Sequence, residues 1–222
     1  MRWQIFSLVL LGGLLHCPPL WAADLPFWQL PEELHSTPIA DEIWLNGVPI
    51  RIALLSGVVS EATFHNVAER NCEKGGGRFG ENQLGAKKVW SCIREPYSQT
   101  IQWQREGGRI QGEISTLRLD ATPLPSQPVL PTPALTQMVS NMESRDGSIK
   151  SQVEMLQSGL NIPQLRAALL REARASGWKI DTALSATLQR MSLQKRGQLL
   201  DIAFAPQPMG GSRAVVVWQE GR

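Results

Sequence analysis

The strongest constraint on this chain is a recurrence of turn chemistry about a hundred residues apart, because a repeated order of turns limits the folds available to both halves. Residues 42–45, Asn46-Gly47 and residues 48–55 have the pattern of strand, type I′ turn and strand, since Asn-Gly tolerates the positive φ that both central positions of such a turn require. Residues 137–144, the turn Arg145-Asp146-Gly147-Ser148 and residues 149–157 repeat that pattern. Each hairpin ends at a Ser-Gly pair, Ser56-Gly57 and Ser158-Gly159, and each is followed by a helix start.

Ser60 is the expected N-cap of the first helix, with Val59 and Phe64 as a hydrophobic staple and Phe64, Val67, Ala68 and Cys72 as an apolar stripe ending near Gly75. In the second helix Asn161 is the cap, Leu160 and Leu165 the staple, and Pro163 lies in the first turn. Its stripe of Leu165, Leu169 and Ala173 runs towards Gly177. A meander of three strands is expected after each helix, at 89–94, 99–105 and 110–119 and again at 187–194, 199–205 and 214–219, separated by glycine- and proline-bearing turns. Leu184, Leu188 and Met191 also recur at helical spacing, but the recurrence of turns favours an irregular stretch and then a strand within 181–196.

These patterns predict an α+β fold of two tandem pseudo-repeated ββαβββ modules, 41–120 and 137–222, each an antiparallel sheet with one helix packed on a face. Between them, residues 121–136 carry Pro123, Pro125, Pro128, Pro131 and Pro133 and read as a stiff, extended linker. Residues 24–40 form a lead-in with little pattern.

The first 23 residues read as a signal peptide: Arg2 precedes an apolar stretch from Ile5 to Leu15, too short to span a bilayer, and Ala23 is the expected cleavage position. Cys17 follows His16 and precedes Pro18 and Pro19, a context unlike that of a lipidated cysteine. The chain is therefore expected in the periplasm or secreted, with no stable membrane insertion after cleavage. Processing removes Cys17 and leaves Cys72 and Cys92, an even pair in an oxidising compartment, for which a disulfide is the natural use.

Gly75, Gly77 and Gly80 satisfy G-x-G-x-x-G, but they leave a helix and approach a strand, the reverse of a pyrophosphate cradle, and read as a flexible loop. His65 and Cys72 share a helix face yet lie roughly 10 Å apart along the axis, too far for a thiol and its base. Cys72, Cys92, His65 and His35 lack the spacing of a zinc site. No G-x-S-x-G, H-E-x-x-H or S-x-x-K motif is present. No catalytic, cofactor-binding or metal-binding residue is assigned. With 22 Lys+Arg against 20 Asp+Glu and no long run of one sign, nucleic acid is not an expected partner.

Trp44, Trp90, Trp103, Trp178 and Trp218 are expected mostly in cores, whereas Phe27 and Trp28 in the lead-in are the candidates for contact with a partner. The expected function is a non-catalytic binding or assembly module of the bacterial cell envelope, with another envelope protein as partner. A glycan- or peptidoglycan-binding protein and a periplasmic hydrolase are the alternatives.

Overall fold

Asn46 and Gly47 adopt φ of 51° and 78°, the left-handed conformations that a two-residue hairpin demands. A computed structural model describes residues 29–182 and 187–221 of this chain. In order, these form β1 (Leu34–Pro38), β2 (Glu42–Leu45), β3 (Val48–Gly57), α1 (Glu61–Lys74), β4 (Arg78–Leu84), β5 (Lys87–Arg94), β6 (Tyr97–Glu106) and β7 (Arg109–Arg118). There follow β8 (Thr136–Asp146), β9 (Ile149–Ser158), α2 (Ile162–Ala175), β10 (Lys179–Ile180), β11 (Arg190–Lys195), β12 (Gln198–Pro206) and β13 (Ser212–Glu220).

Both helices begin where their capping residues require. The Ser60 hydroxyl accepts the Thr63 N–H at 3.0 Å, and Asn161 and Gln164 exchange side-chain to backbone bonds at 3.0 and 3.2 Å as a capping box. Phe64, Ala68 and Cys72 of α1 and Leu165, Ala168, Leu169 and Ala173 of α2 are buried, one stripe per helix.

All strands join one antiparallel sheet in the order β10-β11-β12-β13-β9-β8-β2-β3-β7-β6-β5-β4, with β1 also paired to β3. The fold is thus α+β and mostly antiparallel sheet. Outward from the β2–β8 seam, one half runs β2-β3-β7-β6-β5-β4 and the other β8-β9-β13-β12-β11-β10.

Register decides which face the helices cover. Trp44 of β2 lies opposite Pro49 of β3 on one side and Glu143 of β8 on the other, and Glu143 lies opposite Gln152 of β9. Opposed residues share a face, and faces alternate along each strand. Ala53 and Leu55 of the first core and Leu156 of the second therefore project from the same side of the sheet. Both helices lie on that side, α1 against β4 and β5 and α2 against β12 and β13. The opposite face carries Leu54 and Met155, 57% and 44% exposed.

Three expectations need correction. Each half has one strand more after its helix than the expected ββαβββ order, namely β4 and the two-residue β10. The glycine-bearing segment read as a flexible loop is a loop only over residues 75–77, because from Arg78 it is strand β4, which pairs with β5 from Arg78↔Ile93 to Leu84↔Lys87. The proline-bearing segment does not hang between the halves: Leu124 N–H donates to the Gly47 carbonyl at 2.9 Å, and Leu130 is buried in the second core. Within 181–196, β11 is a strand paired along its length with β12, while residues 183–186 lie outside the described residues.

Candidate functional site

Cys72 in the last turn of α1 and Cys92 in the second half of β5 form a disulfide, with S–S 2.05 Å and Cα–Cα 5.8 Å. Both are buried among Phe64, Trp90, Ile101 and Trp103. The chain leaves the helix over this bond, and a Cβ on Gly77 would stand 2.8 Å from each sulfur, so only glycine passes there without displacing the cystine. Phe64 lies 4.6 Å from Trp90 and 5.6 Å from Trp103, centroid to centroid, in tilted contacts. Trp90, Trp103 and Trp178 are at most 5% exposed, which removes three tryptophans from any exposed glycan platform.

Beside this cluster, β4 forms one end of the sheet. His65 on α1 reaches across to it, with Nε2 2.5 Å from Glu81 Oε1 and Nδ1 3.7 Å from Glu69 Oε2. Its ring meets Phe79 and Trp90 edge-on at 5.5 and 5.4 Å. The Glu81 hydrogen bond, helped by the charges of Glu81 and Glu69, holds the imidazole above its ordinary pKa despite some loss of solvation. Lys88 on β5 is engaged by Glu61 and lies 5.5 Å over the Trp103 ring.

The main chain of β4 has a determinable polarity. Leu84 and Lys87 flank a two-residue turn and form the hydrogen-bonded pair at its base. Counting back, Asn82, Gly80 and Arg78 bond towards β5, while Glu81 and Gln83 direct their main-chain groups away from the sheet. Consistent with this, the Gln83 N–H donates to its neighbour Asn82 Oδ1 at 2.8 Å.

A second polar cluster lies at the seam. Glu154 on β9 is 1% exposed, and its Oε1 accepts both the Val129 N–H at 2.6 Å and the Gln152 amide at 2.9 Å. Burial raises the Glu154 pKa, with nearby Glu143 adding to the shift and the two hydrogen bonds opposing it. Gln152 also donates to the Gln127 carbonyl at 2.8 Å, and Asn141 donates to Ser126 and, at 3.1 Å, to Glu143. These bonds strap residues 126–129 across the helix-bearing face. On the same face the Glu42 carboxylate pairs with Arg145 at 3.4 Å across the seam.

Of the residues singled out in the sequence, Cys72 and Cys92 are brought together, His65 joins the β4 corner, and exposed His35 lies on β1 opposite Ser56. Phe27, Trp28, Cys17 and the cleavage position at Ala23 lie outside the described residues. Glu69 stands one turn after His65 on the same helix, an i,i+4 spacing visible in the sequence, whereas Glu81 carried no signal beyond being acidic, since its meeting with His65 depends on β4 being a strand. Among the described residues no group of three or more His, Cys, Asp or Glu is placed to hold a metal ion, and no helix is long and apolar enough to cross a membrane. Comparison with protein-family models, curated proteins and solved structures finds no match.

Proposed function

We propose that this chain is an exported, non-catalytic binding or assembly module of the bacterial cell envelope, acting as an accessory to secretion, pilus or surface assembly with another envelope protein as its partner. The observation that carries this reading is the open end of the sheet at β4, where the outward main chain of a seven-residue edge strand is a template for a further strand. Leu84 of β4 and Ile93 of neighbouring β5, both exposed on the helix-free face, add apolar contact area beside it. Residues 1–23 act as a signal peptide in this account, and the mature chain resides in the periplasm or outside the cell. The two halves, with their matched capping residues and hairpins, derive from a duplicated unit.

The test is to recover the native protein from its host, determine its N-terminus and identify proteins cross-linked to it in intact cells. Chains beginning at or within a residue or so of Asp24, recovered with the envelope and cross-linked to a defined envelope protein, are the expected result. Unprocessed chains recovered from the cytosol would defeat the proposal.

A further inference from the structure

The ends of this sheet are not equally protected. β10 pairs with β11 over two residues, and β1 closes on Pro38; short strands and proline are both ways of blunting an edge. β4 has neither, and keeps an unbroken register with β5 from Arg78 to Leu84. Glu81 lies opposite buried Trp90, so its side chain is on the helix-bearing side while its main chain turns outward.

We propose that β4 accepts an extended segment of a partner protein as an added antiparallel strand, and that this segment carries Lys or Arg opposite Glu81. The inference rests on the binding reading above and assigns it a place and a partner chemistry. A residue opposite Glu81 in a hydrogen-bonded pair would sit about 5.5 Å away, Cα to Cα, and project towards the helix side. There the Glu81 and Glu69 carboxylates, 53% and 41% exposed, meet among the described residues only His65 as a cation. Even a protonated His65 leaves that corner net negative, because Lys88 is committed to Glu61. A second copy of this chain is a poor occupant: the β4 side chains on that side are Phe79, Glu81 and Gln83, so no antiparallel self-pairing puts a cation opposite Glu81.

Fluorescein-labelled Thr-Val-Thr-Lys-Thr-Val-Thr, and the same peptide with Glu at its centre, can be titrated by anisotropy against the mature chain at low salt. The Lys peptide should bind about ten-fold more tightly, since attraction in one is replaced by repulsion in the other. N-methylation of one alternate set of peptide amides should abolish binding and of the other set should be tolerated, the signature of strand addition. Glu81→Gln should level the two peptides, and Glu81→Lys should invert their order, with unchanged circular dichroism in both variants. Equal affinities, indifference to both methylation patterns, absence of binding by either peptide, or concentration-dependent dimers lost in Glu81→Lys would each overturn the assignment. If the peptides fail while in-cell cross-linking still returns an envelope partner, this edge is not the contact but the binding reading stands.

Discussion

Removing the disulfide by the double substitution Cys72→Ala/Cys92→Ala should lower the stability of the first half by a calculable amount. The bond closes a loop of sequence separation 20. On the chain-entropy relation, freeing such a loop returns about 3 kcal/mol of conformational entropy to the unfolded chain at 25 °C. That is a large share of the 5–15 kcal/mol that typically separates folded from unfolded states, and corresponds to a fall in Tm of roughly 6–12 °C for a chain of this size. Urea denaturation of the wild type should show the same loss when reductant is added, and reduced wild type should approach the double variant. Gly77 supplies an internal control. Its absent Cβ would touch both sulfurs at 2.8 Å, so Gly77→Ala should destabilise the oxidised wild type clearly and the cysteine-free background much less, though not negligibly, because the Cys72 carbonyl also lies 3.0 Å away. A midpoint that does not move on complete reduction, or a Gly77→Ala cost equal in the two backgrounds, would refute the account of this corner.

Glu154→Gln should retain both hydrogen bonds, since one oxygen accepts them, while removing a buried charge. The raised pKa of Glu154 means that its favourable contribution is full below the ordinary carboxylate range and is lost as pH rises through the folded value. The wild type should therefore lose stability relative to the variant over that rise in urea melts, and parallel pH profiles would contradict this. Gly47→Ala should cost on the order of 1–3 kcal/mol in the same assay, since the residue has φ of 78° and a Cβ there would stand 2.1 Å from the Leu124 carbonyl oxygen. His65→Ala should cost under about 1 kcal/mol, as expected of a solvent-accessible pair, yet should speed hydrogen exchange of β4 amides more than those of β6. The wild-type His65 contribution is full below the unfolded histidine range and is lost as pH rises through its raised folded pKa, so the difference between wild type and variant should shrink at alkaline pH.

Local chemistry made much of this fold legible. Ser60, Asn161 and Asn46-Gly47 each act within a few residues of themselves, so their roles follow from backbone geometry alone, and the pairing of Cys72 with Cys92 was expected from the even count that removal of a signal peptide would leave. The segment that became β4, Arg-Phe-Gly-Glu-Asn-Gln-Leu, was not legible, because a strand at the end of a sheet contacts water along one side and lacks the apolar alternation of an inner strand. β10 is too short for any periodicity. The seam escaped notice for a different reason: β2 and β8 meet through partners such as Ile43↔Ser144, whose pairing no local pattern encodes. The role of residues 126–130 was hidden likewise, because their prolines favour extended backbone without saying what that backbone lies against. His65 was legible as a lone histidine on a helix but not as a tether, since both its acidic neighbour on β4 and that strand had to be known first.

The seam also sets an order of events during synthesis. Asn46 and its partner Asn141 are 95 positions apart, so at about 5–20 residues per second the first half waits roughly 5–20 s before the strand that completes it exists. Throughout that interval β2 has a vacant side that the β8 of another nascent or unfolded chain could occupy as well as its own. Two chains that exchange halves in this way would satisfy every pairing of the native sheet, leaving a dimer linked through residues 119–136 that dilution could separate only by unfolding both.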